Sequence, residues 1–139
     1  MDGSITPTKR VTISGITRTH GITYSAADDV LVMTDIGLAA GGAIDGGINV
    51  IADFSTVIDA TSDGGTISTA DQNIIEGLST LMNNPIDVAY DHKTKTIFVS
   101  DIATGAVLGF SNALTTSGNI APSVNNTLAS ASSLYLYNN

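Results

Sequence analysis

One strand pattern occurs twice in this chain, 66 positions apart and without a gap: residues 21–36 lie over residues 87–102. Only Tyr24/Tyr90, Asp35/Asp101 and Ile36/Ile102 are identical, yet apolar positions face apolar positions nearly throughout. A long internal period means that one supersecondary unit is repeated, and that the units must bury their faces against each other. Two further segments recur: residues 3–13 align with 118–128, and 48–53 with 107–112. The order of strands within a unit follows, and we label them a to d. Strand a carries Ile22-Thr23-Tyr24, strand b Val30 to Asp35 and strand c Ile48 to Asp53, while strand d follows a Gly-x-Ile-x-Pro turn.

Local chemistry agrees with strands. Leu31-Val32-Met33 and Ile97-Phe98-Val99 are short continuous apolar runs, as expected of strands covered on both faces. Polar connections at 25–29 and 91–95 suit hairpins, and Asn83-Asn84-Pro85 turns the chain into the second strand a. Pro7 and Pro122 stand where a strand d begins, a position that tolerates a missing N–H. Gly65 to Ser68 is expected to supply strand d of the first unit. The apolar spacing of Ile74, Ile75, Leu78, Leu81 and Met82 fits one or two helical turns, capped by Asp71, or a strand remnant in a loop.

The expected fold is therefore all-β. It comprises two four-stranded antiparallel sheets with an extra strand at each end, or a compact β-sandwich of the two sheets. The units run as a strand d remnant at 3–13, a first unit at about 19–69 with an insertion at about 55–82, a second unit at about 85–128, and a third strand a at 132–137. Gly3 already lies inside a repeat, so Met1 reads as a start placed on a fragment. Val32 and Phe98 occupy the same repeat position, and the larger Phe98 is expected to contribute more to the core.

Composition narrows function by exclusion. The net charge is -8, and no Lys or Arg occurs between Arg18 and Lys93, where eleven of the thirteen acidic residues fall. Such a field repels nucleic-acid phosphates and anionic membrane surfaces. No stretch approaches the roughly 20 apolar residues of a membrane span. Without cysteine there is no disulfide framework, thiolate nucleophile or Cys-ligated zinc. No phosphate-binding glycine loop, zinc-protease motif or hydrolase elbow is present.

The remaining candidates are few. His20 and His92 alone have ordinary pKa values suited to general base work, and they fall at different places in the repeat. No catalytic residue or cofactor is expected from them. Asp59, Thr61 and Asp63, followed by Gly64, set oxygen atoms at alternate positions as a calcium loop does. Position 12 of that loop falls on Ala70, so the carboxylate that would complete the set is missing. Asp35 and Asp101, closing strand b in both units, fit an Asp that accepts backbone N–H groups in the following turn. The aromatics Tyr24, Tyr90, Phe98, Phe110, Tyr135 and Tyr137 sit at strand positions suited to packing between sheets. The Gly- and Ala-rich stretch 37–47 and the stretch 55–82 are the variable loops, where partner contacts are sought first.

Pro85-Ile86-Asp87-Val88-Ala89-Tyr90-Asp91, Thr96-Ile97-Phe98-Val99-Ser100-Asp101 and Val107-Leu108-Gly109-Phe110 together resemble a blade of the NHL-repeat-like β-propellers, including the secreted and cell-surface bacterial type. The resemblance covers nearly all of the chain except 55–82. It implies a non-enzymatic binding, structural or assembly module outside the cytoplasm. The alternative it implies is a fragment of a lactonase- or lyase-like propeller enzyme whose active residues lie in other blades. About two blades are present, whereas propellers have at least four. Strand exchange between copies is therefore expected, giving a homo-oligomer: a dimer, a larger ring or a filament.

Overall fold

The computed structural model describes residues 5–38 and 44–137. Strands dominate it. In chain order they are β1 (Thr12–Ile13), β2 (Thr19–Ser25), β3 (Val30–Asp35), β4 (Gly47–Ile51), β5 (Thr66–Ile67), β6 (Asn73–Glu76), β7 (Pro85–Asp91), β8 (Thr96–Asp101), β9 (Ala106–Phe110) and β10 (Val124–Thr127). One helix, α1 (Phe54–Ala60), and two single 3-10 turns (Thr69–Asp71 and Leu78–Thr80) interrupt them. Two four-stranded antiparallel sheets result, ordered β2-β3-β4-β6 and β7-β8-β9-β10. The chain is all-β with a two-sheet arrangement.

The sheets repeat in register as well as in order. Leu31 pairs with Ile51 and Met33 with Asn49 in the first sheet, as Ile97 pairs with Phe110 and Val99 with Leu108 in the second. Side chains alternate across a strand, so each sheet has two distinct faces. In the first sheet Val30, Val32, Ile48, Val50 and Ile75 point into the shared core. In the second sheet the core is filled instead by Val88, Tyr90, Ile97, Val99, Leu108 and Phe110. Ile97 and Val99 are the equivalents of Leu31 and Met33, which point the other way in the first sheet, into a separate cluster with Ile51 and Ile67. The sheets thus stack head to tail: the Val32 face of one lies on the opposite face of the next.

Four differences from the sequence expectation concern the segments outside this repeat. Strand d of the first sheet is β6 rather than Gly65 to Ser68, because the Ile48–Ile75 pairing puts Ile75 into the core. Thr66–Ile67 pairs in parallel with Thr12–Ile13 instead, so among the described residues 5–13 only two are strand. Within 70–82 the strand alternative holds, as β6, followed by the single 3-10 turn Leu78–Thr80, while an α-helix the sequence reading did not place lies at 54–60, where Phe54, Val57 and Ile58 at helical spacing cover Leu31, Met33 and Ile51. Asp71 caps no helix and accepts the Ser68 hydroxyl (2.8 Å). Residues 132–137 join no strand ladder; Leu134, Tyr135 and Leu136 lie beside Ala89, Phe98 and Val107 of the second sheet. Of the 37–47 stretch, 39–43 lie outside the described residues; Leu38 N–H donates to Asp45 (2.9 Å) ahead of the turn into β4.

Candidate functional site

Candidate interaction surface. The outward face of the second sheet is the repeat equivalent of a face that the first sheet buries. Phe98 stands where Val32 stands, and Val107 where Ile48 stands. Val32 and Ile48 are fully buried, whereas Phe98 and Val107 remain half-buried. Among the described residues, the C-terminal segment lies over this face. Leu134, Tyr135 and Leu136 line a shallow apolar cleft of about 150 Å³ with Ala89, Phe98 and Val107. Leu134 and Leu136 turn toward the sheet, while Tyr135 and Tyr137 stay 88% and 71% exposed. Those two tyrosines and Tyr24, half exposed, depart from the expected packing between sheets; only Tyr90 and Phe110 are buried there.

The opposite end of the stack is closed. Leu31, Met33 and Ile51 lie under Val11, Ile13, Ile16, Phe54, Val57 and Ile58. Tyr24 packs edge-on against Phe54, with ring centroids 5.9 Å apart. The 55–82 stretch is thus largely a cover and a strand of the first sheet, although Leu78 on its 3-10 turn is exposed.

Two tyrosine–aspartate contacts sit at one edge of the stack. Tyr90 donates its hydroxyl to Asp28 (2.8 Å), and Lys95 forms an ion pair with the same carboxylate, tying the second sheet to the first. The Lys95 hydrogen bond, with the Tyr90 hydroxyl, holds Asp28 below the usual carboxylate range, against a smaller desolvation effect. Burial, reinforced by Asp28, pushes the Tyr90 phenol far above its ordinary value. Tyr24 makes the equivalent contact inside its own sheet, to Asp29 (2.9 Å), which the Ser55 hydroxyl and N–H also engage. The sequence signal for these bonds was the Tyr24/Tyr90 identity; Asp28 and Lys95, which differ between repeats, carried none.

Asp35 and Asp101 are equivalent in bonding too. Asp35 accepts the backbone N–H groups of Thr17, Arg18 and Gly37, and Asp101 those of Asn83, Asn84, Ala103 and Thr104, all within 3.1 Å. Each carboxylate fastens the entry of strand a to the b–c turn. These are structural roles.

The calcium candidates already have protein partners. Thr61 Oγ1 donates to Val57 O (2.8 Å), Asp63 accepts the Arg10 N–H (2.8 Å), and Lys9 Nζ reaches the Asp59 carbonyl (3.3 Å). The ammonium beside these oxygens opposes a cation, and no group of three or more His, Cys, Asp or Glu side chains is gathered among the described residues. His20 Nδ1–H donates to Ile86 O (2.8 Å) at one end of the strands, while His92 lies past the other end, in the β7–β8 turn. The two imidazoles do not converge. Among the described residues no helix is long and apolar enough to cross a membrane. Scans against family models, curated proteins and solved structures each return no match.

Proposed function

We propose that this chain is a non-enzymatic binding and assembly module, built from NHL-like propeller blades and working outside the cytoplasm. Its working surface is the outward face of the second sheet around Phe98 and Val107. The observation that carries this reading is the head-to-tail stack. The face bearing Val32 is sealed by the next sheet in one repeat, and its counterpart bearing Phe98 has a four-residue segment as its cover in the other. Apolar sheet faces left this open favour association with further β-structure. The blade resemblance, with its strand order and shared register, supports the same reading. The secreted location rests on that resemblance and on the acidic, cysteine-free composition.

Static light scattering on a size-exclusion column, over at least a tenfold dilution, tests this. The expected result is a mass above 14.2 kDa that falls on dilution, and a monomer for Val107→Lys with an unchanged far-ultraviolet spectrum. A wild-type monomer at every concentration, or association indifferent to Val107→Lys, overturns the proposal.

A further inference from the structure

We infer that the outer edge of β10 takes the segment Gly3-Ser4-Ile5 of a second copy of this chain, so that copies join head to tail. This rests on the reading of the second sheet as the assembly surface and names what meets it. The β10 edge borders that surface, with Asn126 paired to Val107.

The chain already contains this joint once. On the outer edge of β6, the Gly118 N–H donates to Ile74 O (2.7 Å) and Gly118 O accepts the Glu76 N–H (3.3 Å). The next residue follows suit, Asn119 Oδ1 accepting the Ser79 N–H (2.7 Å), and Ile120 packs on the core. Gly118 has φ +84°, a left-handed conformation that glycine adopts at no steric cost. A short Gly-x-Ile segment carried by the second repeat thus closes the strand edge of the first.

Both halves of that joint recur, unjoined, elsewhere in the chain. Strand β10 meets β9 as β6 meets β4, which makes Asn125 and Thr127 the counterparts of Ile74 and Glu76. Leu128 donates its N–H inward to Gly105 O, so the Thr127 N–H points away from β9. Asn125 to Thr127 are exposed, and among the described residues no further backbone group bonds to this edge. The other half is in the sequence: Gly-x-Ile-x-Pro occurs at 118–122, at 3–7 and nowhere else. Ile5, the counterpart of the half-buried Ile120, is 91% exposed.

The side chains match as well. In the joint that is made, a Cβ on Gly77 would fall 2.7 Å from Asn119 Cγ, so a residue without a side chain faces a large one. At the second edge Leu128 stands in place of Gly77 and Ser4 in place of Asn119, which exchanges large for small. Leu128, half exposed in one copy, gains the Ile5 side chain of the next as a cover.

The segment must come from another copy. Thr6 and Pro7 lie beside Asp63 and Gly64, and both stretches run on into β1 and β5 over Leu31 and Met33, on the far side of the first sheet. Gly3 is three residues from Thr6, a reach of at most about 11 Å, whereas β10 lies two layers away, roughly 20 Å at the usual spacing of stacked sheets. Because edge and segment are different surfaces, the contact is heterologous and continues from copy to copy until a ring closes.

Two variants and their mixture test this by light scattering over a dilution series. Deleting residues 2–5 removes the segment and leaves the edge. Thr127→Pro removes the outward N–H and leaves the bonds to β9, as proline on a sheet edge can. Each should keep the wild-type far-ultraviolet spectrum and weaken association at least about tenfold, for the lost hydrogen bonds and apolar cover. Mixed together, one supplies the edge and the other the segment, so a single joint is restored and the species formed is a dimer that grows no further. A wild-type monomer at every concentration overturns this inference together with the reading beneath it. Association abolished by Val107→Lys but unchanged by either variant, or a mixture that associates no better than its parts, overturns the head-to-tail joint alone.

Discussion

Gly21 and Asp87 occupy the same position in successive repeats, and the structure places one directly on the other. A Cβ at Gly21 would lie 2.7 Å from the Cα of Asp87 and 2.9 Å from the backbone N of Val88. Both obstacles are backbone and neither can rotate away, so even one methyl group must push β2 and β7 apart. That distance sets how closely the two sheets approach and hence how tightly Val32 and Val99 pack between them.

Gly21→Ala is accordingly expected to destabilise by about 1–3 kcal/mol, the usual cost of overpacking a close contact. Denaturant unfolding measures it. A change below roughly 0.5 kcal/mol, the range of an indifferent surface site, would mean that the sheets separate easily at this point.

Phe110 and Phe98 provide a second comparison, on the two faces of the second sheet. Phe110 is fully buried between the sheets, while Phe98 lies half-buried under Leu134 and Leu136. Phe110→Ala should cost about 3–5 kcal/mol, and Phe98→Ala less than half as much in the monomer. Equal losses would show that the C-terminal segment seals its face as well as the first sheet seals the other.

This reverses the weight that the sequence placed on Phe98, and the reason is physical. Aligning Val32 with Phe98 identified correctly that both point to the same side of their sheets. Alternation and repeat spacing report which side a residue takes, and nothing in them reports whether that side has a neighbour. The meander order, the second sheet and the acceptor roles of Asp35 and Asp101 were legible because both repeats carry the same residue types at the same spacing. Strand β6 and helix α1 were not, since both belong to the 54–82 region that only one repeat possesses. Ile74-Ile75 reads as strand or helix alike until Ile48 is known to lie beside it. The spacing of Phe54, Val57 and Ile58 was a helical signal that the repeat alignment obscured by extending strand c to Asp53.

Asp101→Ala should be among the most damaging single changes. It leaves the N–H groups of Asn83, Asn84, Ala103 and Thr104 without their acceptor in a site where the carboxylate is fully buried. Each buried donor without a partner costs about 1–3 kcal/mol, partly relieved by water, so a loss of at least about 3 kcal/mol is expected. Asp35→Ala should follow at a similar or slightly smaller loss, with three donors affected. Thermal melts of the two variants check the order, and a neutral Asp101→Ala would show that the strand a entry needs no anchor.

The Tyr90–Asp28–Lys95 contact makes stability depend on pH at both ends of the scale. Asp28 has a folded pKa below its ordinary 3.8, chiefly through Lys95 and then Tyr90. Its contribution is complete above that ordinary value and is lost as pH falls through the folded one, because the unfolded chain then binds the proton that the folded chain refuses. Tyr90 behaves in the opposite sense. Its folded pKa lies above the ordinary 10.0, mainly through burial, so its contribution is complete below pH 10 and declines as pH rises beyond it. Melting temperature should thus hold a plateau through neutrality and fall below about pH 4 and above about pH 10. Asp28→Asn should flatten the acid limb in part, since Asp29 and Asp91 also titrate below their ordinary value. Tyr90→Phe should flatten the alkaline limb in part, since Tyr24 also titrates above its ordinary value through its bond to Asp29, while lowering the plateau by roughly 1 kcal/mol for the lost hydrogen bond. If instead Tyr90→Phe leaves the alkaline limb as steep as before, the Tyr90 phenol does not couple the two sheets through Asp28.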